Sequence, residues 1–540
     1  MKNQNKNTQS ATVIRKARTP ASLHEARTKL PVILDHTFPS TPIPTVTDLL
    51  NEIAATTKNT FTTTQNGAIA RSTTGNPLLD FFSQLGALRN VTDEQIISRF
   101  SNSFLYDAKN TMRALFYARD IRGGLGERRL FRVIARYLAN THPRLMRAYI
   151  HHIPHYGRWD DLYTFFDTPI MADAVSLIRE QWDKDVDAHN RGDTHSISLM
   201  AKWLKSENAS SKETAHLARL TRQALGITAR DYRVTLAALR ADIRIVEADM
   251  SAQRWSSISY PTVPSCAATR YRKAFRRHDE DRYTEYLEEV RSGKSKINAS
   301  VSYPYELIRP YAITTGYGGR LDETLEAQWK ALPNYLPSED VSMLVMADVS
   351  GSMTGYNCVP LCTSIGLAIY FAERAKGSFH SKFLTFSEKP KLVTLPEGDE
   401  YTLLDKINAI YRAGIGYNTN LEAAFEVVLN SAVRMKAPQS AMPKAIVVIS
   451  DMEIDQADCA DGVDFTTMMA KKYKAAGYTM PKVVYWNVAS QEQLVHADAK
   501  NPYVQFVSGQ SPSVFKAVCK GTELGPVELM MEVLGKYEIE

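Results

Sequence analysis

The chain has 540 residues, a net charge of +6 at neutral pH, 44% apolar residues and 23% charged residues. That length exceeds what one hydrophobic core supports, and the composition excludes a fibrous, wholly disordered or membrane-spanning chain, so two or more soluble domains are expected. The charge is uneven: residues 1–338 hold 47 Lys and Arg against 35 Asp and Glu, and residues 339–540 hold 18 against 24. A balance of +12 suits a polyanionic partner and equally suits an ordinary solvated helical surface, whereas a balance of −6 repels a polyanion.

No run reaches the roughly 18 apolar residues that cross a bilayer, so no membrane partner is expected. The opening MKNQNKNTQS leads into no apolar stretch of the secretory kind. Cys266, Cys358, Cys362, Cys459 and Cys519 are few and scattered, which fits reduced thiols in a cytoplasmic protein.

In chain order, residues 1–59 mix Asn, Lys, Thr and Pro without periodicity and read as a flexible arm. The turn-rich stretch 62–77 is an extended entry to the next domain. Over 60–338 apolar residues recur three and four apart, as in NTMRALFYARDI, RRLFRVIARYLANT and ARDYRVTLAALRADIRIVEADM, separated by RGGLGE, IPHYGRWDD and YPTVPS. This succession of amphipathic helices predicts an α-helical solenoid, HEAT-like in kind, that folds without the remainder of the chain. Within it Arg119, Arg122, Arg128 and Arg129 surround a glycine turn. Glycine lets backbone N–H groups approach a phosphate, and guanidinium groups bind phosphate bidentately. The competing reading is a helix corner whose arginines are solvated or paired with Asp120 and Glu127. His151, His152 and His155 are broken in spacing by Pro154 and read as packing residues, not zinc ligands. Trp159, Trp203 and Trp255 read as core.

Two prolines and a change of charge sign in ALPNYLPSED (331–340) place a boundary before 339–540. Strand-like VSMLVMA, SKFLTFS, AIVVIS, KVVYWNV and YVQFVS then alternate with helix-like 358–376, 420–435 and 463–475. Short β-rich runs alternating with helices predict a doubly wound α/β domain with a mostly parallel, buried sheet. Cys358 and Cys362, four apart, are expected to face its core.

In such a sheet ligands bind beyond the carboxyl ends of the strands. The first strand ends at Asp348, with Ser350 and Ser352 in the following loop; Thr419 precedes a helix, and Asp451 ends another buried strand. One carboxylate and two hydroxyls in a loop, joined by a threonine and a second carboxylate, form a hard oxygen set suited to Mg²⁺ or Mn²⁺. No Ser/His/Asp order, paired acid and base, or nucleotide loop is present, so an enzyme is not expected.

This Asp-x-Ser-x-Ser arrangement resembles the metal-ion-dependent adhesion site of von Willebrand A domains. The family's serine loop falls on Asp348, Ser350 and Ser352, its threonine on Thr419 and its last aspartate on Asp451. The resemblance implies that a partner's Asp or Glu completes the metal shell; in this chain an acidic side chain, a phosphate or an intramolecular carboxylate would serve equally. The stretches NGAIARSTTGNPLLDFF, ARDIRGGLGERRLF, IPHYGRWDDLY, SLMAKWLKSEN, VPSCAATRYRKAFRRHD and KINASVSYPYELI resemble a plant, bacterial and phage family that couples a helical region to a C-terminal von Willebrand A domain. For a phage-encoded member the compartment would be the host cytoplasm. In architecture the chain is also remotely similar to the Ro autoantigen, whose TROVE module is a ring of helical repeats closed by a von Willebrand A domain. That likeness implies a ribonucleoprotein binding structured or misfolded non-coding RNA. The alternative expectation is an assembly factor that uses the metal to bind an acidic residue of a protein partner.

Overall fold

The computed structural model describes residues 61–64, 66–315, 320–337, 342–387, 389–413, 420–454, 465–489, 494–521 and 523–539. A helical region occupies the first part of the chain, and an α/β region with a six-stranded mixed sheet follows. Two compact units are formed: Ala135–Ile258 makes one, and 61–134 together with Ser259–Ile539 makes the other.

The first unit centres on three helices, Met171–Asn190, Lys212–Leu225 and Ala229–Asp242. Ser211 and Thr228 cap the second and third through their hydroxyls, and Gly226 in a left-handed conformation stops the second. Trp182 and Tyr232 stack in its core with ring centroids 5.6 Å apart. Arg240 crosses to the carbonyls of Ala201 and Leu204, satisfying acceptors in the last turn and C-cap of the short helix Met200–Trp203. Trp159, Trp203 and Trp255 are half-buried, contrary to the core expectation. Trp203 instead presents its face to the Arg158 guanidinium, 4.4 Å from the ring centroid.

The second unit holds a small antiparallel hairpin, β1 (Phe61–Thr63) and β2 (Ile69–Arg71), and the large sheet. The sheet strands are β3 (Met343–Asp348), β4 (Lys382–Phe386), β5 (Leu392–Thr394), β6 (Ala445–Ser450), β7 (Lys482–Asn487) and β8 (Val504–Ser508). Their order is β5-β4-β3-β6-β7-β8, parallel except for β5. Every residue of β3 and β6 is buried, so both faces of the sheet centre are covered. Five of these strands lie where the alternation of apolar runs and helices put them. β5 is an addition, too short to carry a sequence period.

The helix Gly355–Arg374 starts irregularly: Tyr356, Asn357 and Cys358 all have left-handed backbone. That turn takes Cys358 off the face that buries Cys362, and Cys358 remains half-buried.

The compact units do not follow the 338/339 line drawn from composition. Helix Pro77–Gln84, started by Pro77 and capped by Asn76, packs on β8. Helix Pro304–Thr315 packs along Gly355–Arg374, where Gly366 makes room for Pro304. Trp329 donates its Nε1–H to Glu373 at 2.8 Å. The glycine turn at 123–126 is also packed against protein. A Cβ on Gly124 would lie 2.0 Å from the Tyr117 carbonyl, and one on Gly126 would lie 2.5 Å from the Tyr303 hydroxyl. Leu125 of that turn lies against Gly509, and Tyr537 donates its hydroxyl to Asp120 at 3.0 Å. Those glycines admit neighbouring side chains and backbone, which removes the phosphate-cradle argument for this turn.

Candidate metal centre

The strand order reverses direction between β3 and β6, which pair in parallel with Ala347 beside Ile449. Carboxyl ends at such a switch point leave a crevice that following loops cannot fill. Both strands end there in carboxylates, Asp348 on β3 and Asp451 directly after β6.

The local sequence explains the geometry. Asp348 Oδ1 accepts from the Ser350 N–H at 2.9 Å, so the loop turns back over its own strand end. Ser350 Oγ and Ser352 Oγ lie 3.0 Å apart, and the Ser352 hydroxyl hydrogen-bonds Asp451. Asp348, Ser350, Ser352 and Asp451 are therefore brought together. Thr419 lies outside the described residues. Ser450, which sequence reasoning missed, joins the two carboxylates. Its hydroxyl donates to Asp348 Oδ2 at 2.6 Å, lies 3.5 Å from Asp451 Oδ1, and accepts from the Met452 N–H at 3.0 Å. The available signal was a polar residue closing an otherwise apolar strand.

Asp348 is 0% exposed and Asp451 3%. Burial raises the pKa of Asp348, and the neighbouring Asp451 charge raises it further. Burial likewise raises Asp451, against the lowering effect of its hydrogen bond from Ser352. Two buried carboxylates facing each other store repulsion that a cation relieves. Among the described residues no three His, Cys, Asp or Glu converge as a metal-binding group. The donor set here is two carboxylates with neutral hydroxyls, which fits a hard divalent ion and not zinc.

The arginines are dispersed. Arg119 is 1% exposed beside Glu127, so it is corrected from a surface candidate to an interior cation. Arg129 is held by Asp93 and by the carbonyls of Arg89 and Val91. Glu127 pairs with Arg89 at 2.6 Å. Arg122 and Arg128 are exposed. His151 and His155 are exposed on two successive short helices, Ile150–His152 and Ile153–Tyr156, with the rings of His151 and His152 3.9 Å apart.

Residues 64–168 and 169–339 match the domain of unknown function DUF2828, and residues 342–534 match the domain of unknown function DUF7788. Uncharacterized protein L728 of Acanthamoeba polyphaga mimivirus is 30% identical over 515 residues, which cover 88% of this chain and 87% of that protein. No solved structure matches the chain significantly. Since the first of these domains accounts for about half of the sequence and the viral relative is aligned along nearly its whole length, the chain belongs to the DUF2828 family.

Proposed function

We propose that the chain is a non-enzymatic binding scaffold whose α/β region is a von Willebrand A-like domain carrying Mg²⁺ or Mn²⁺. Asp348, Ser350, Ser352 and Asp451 would hold the ion, with Thr419 as the further ligand that the resemblance implies. The strand order with one antiparallel edge supports the domain reading. The observation that carries the metal reading is the meeting of two buried carboxylates and their hydroxyls at the switch point. When bound, the ion supplies an electrophilic centre with a position for one more oxygen ligand. The protein's own part is to fix the ligands: Ser450 aims Asp348, and the Ser350 amide closes the loop. An Asp or Glu of a protein partner is the expected last ligand. Titration calorimetry of the full chain with Mg²⁺ and Mn²⁺ should show one saturable site. Absence of binding to either ion overturns the reading.

A second reading, RNA binding in the manner of a TROVE-like helical ring, draws on the charge asymmetry and on the exposed Arg122 and Arg128. Residues 1–41 alone hold 7 Lys and Arg against 2 Asp and Glu, so they supply +5 of the +12. A labelled structured RNA should bind with log K falling by about 0.7–0.9 per phosphate contact per tenfold rise in salt. For four or five contacts a fourfold rise in salt costs on the order of 10²-fold in affinity. Deleting residues 1–41 should flatten that slope more than Arg122→Ala with Arg128→Ala. No binding at low salt removes this reading and leaves the protein-partner one.

A further inference from the structure

The backbone just after Asp451 is gripped at three successive carbonyls. His496 Nε2 donates to Met452 O at 3.1 Å, Asn66 Nδ2 to Glu453 O at 2.8 Å, and Thr64 Oγ1 to Ile454 O at 2.7 Å. Burial pushes His496 down to about 4, so the ring is neutral, and its Nε2 carries the hydrogen that the carbonyl accepts. Two of the three donors come from the hairpin of β1 and β2, nearly 390 residues earlier in the chain. The hairpin also reaches the third. Arg71 at the end of β2 exchanges both backbone hydrogen bonds with Val495, at 2.8 and 3.0 Å, and Val495 adjoins His496. Thr64 is itself set by the Ala68 N–H, which donates to its Oγ1 at 3.0 Å.

What the grip holds is a conformation that would not persist alone. Met452 has a φ of +70°, a left-handed setting that a non-glycine residue keeps only when its surroundings impose it. In that setting the Met452 N–H points to Ser450 Oγ at 3.0 Å and the Glu453 N–H to Asp451 Oδ1 at 3.3 Å. These amides orient both the bridging serine and the aspartate.

We infer that the hairpin of β1 and β2 is a positioning element of the switch-point centre, with Asn66 and Thr64 setting the backbone that aims Asp451. Its consequence for metal affinity rests on the metal reading above, but the positioning itself does not. The hairpin is a clasp: anything that pulls on it loosens the Asp451 loop, and by reciprocity an ion on Asp451 tightens the hairpin. Groups that orient ligands without touching the ion typically change affinity by about 10- to 100-fold.

The test uses the full chain. Asn66 is exposed, so Asn66→Ala removes one hydrogen bond without opening the core. The expected result is Mn²⁺ and Mg²⁺ affinity weakened by about tenfold, an unfolding midpoint near that of the wild type, and faster amide exchange at Met452 and Glu453 in the metal-free protein. Thr64→Val should act in the same direction, and Thr64→Ser, which keeps the hydroxyl, should behave as wild type. If the wild type binds an ion and Asn66→Ala binds it equally well, the inference is overturned. If the wild type binds neither ion, the metal reading fails, and exchange decides alone: faster exchange upholds the positioning role and unchanged exchange overturns it.

Discussion

Asp451→Asn is expected to make the metal-free protein more stable and insensitive to Mg²⁺. In the wild type both carboxyls are buried, and burial together with the Asp451 charge pushes Asp348 up to about 7. A carboxyl whose folded pKa lies above its unfolded value favours the fold at low pH and loses that contribution as pH rises through the folded value. The metal-free wild type should therefore lose stability between about pH 4 and pH 7 from this pair, by several kcal/mol at most. Asparagine removes one charge, keeps the shape, and ends the repulsion. A gain of about 2 kcal/mol at pH 7.5, about 2–3 °C in a melt of a unit this large, is expected. Mg²⁺ at a hundred times its dissociation constant should stabilise the wild type by about 2.7 kcal/mol and leave Asp451→Asn unmoved. Thermal melts with and without Mg²⁺ at pH 5 and pH 7.5 provide the check. A variant that is less stable than the metal-free wild type at pH 7.5, or that still responds to Mg²⁺, contradicts the account.

Gly86→Ala is expected to be among the most damaging single-methyl changes in the chain. A Cβ at position 86 would lie 2.1 Å from Gly509 Cα and 2.3 Å from its nitrogen, so the obstacle is backbone on both sides and no rotamer relieves it. The contact is also polar. The Gly86 N–H donates to Ser508 Oγ at 3.0 Å, and Gln510 Nε2 donates to the Gly86 carbonyl at 3.4 Å. Opening the approach leaves those buried groups unpaired as well as unpacked. A loss of about 4 kcal/mol is expected from overpacking and lost hydrogen bonds together. Urea unfolding would show it as a lower midpoint, and a midpoint within experimental error of the wild type would mean that the two backbones are not held at that distance.

The sheet and most of the candidate site were legible because both obey local rules. Five strands announce themselves as buried apolar runs, and Asp348, Ser350, Ser352 and Asp451 break those runs where strands must end. Ser450 was hidden because a lone serine at a strand end looks like any turn residue until β3 is beside it. β5, with three residues, is too short to show a period. The arginine turn misled for a different reason. Glycines that admit a phosphate and glycines that admit Tyr303 or Gly509 read alike, and only tertiary packing separates them. The 338/339 line lies where the two matched family regions divide. Composition changes there, yet Gly86, Asp120 and Trp329 each find partners beyond it, 422, 417 and 44 residues away, and no periodicity encodes such contacts.

The joining of Gly86 to Gly509 has a consequence for synthesis. A ribosome adding roughly 5–20 residues per second needs about 20–85 s to travel from the first glycine to the second. For that interval helix Pro77–Gln84 has no β8 beside it: Phe81 and Phe82 already have Phe100 and Tyr117 as ring partners, while the side that β8 covers in the finished protein stays open. Residues 61–134 are therefore made before the compact unit of Ala135–Ile258 but completed only after it.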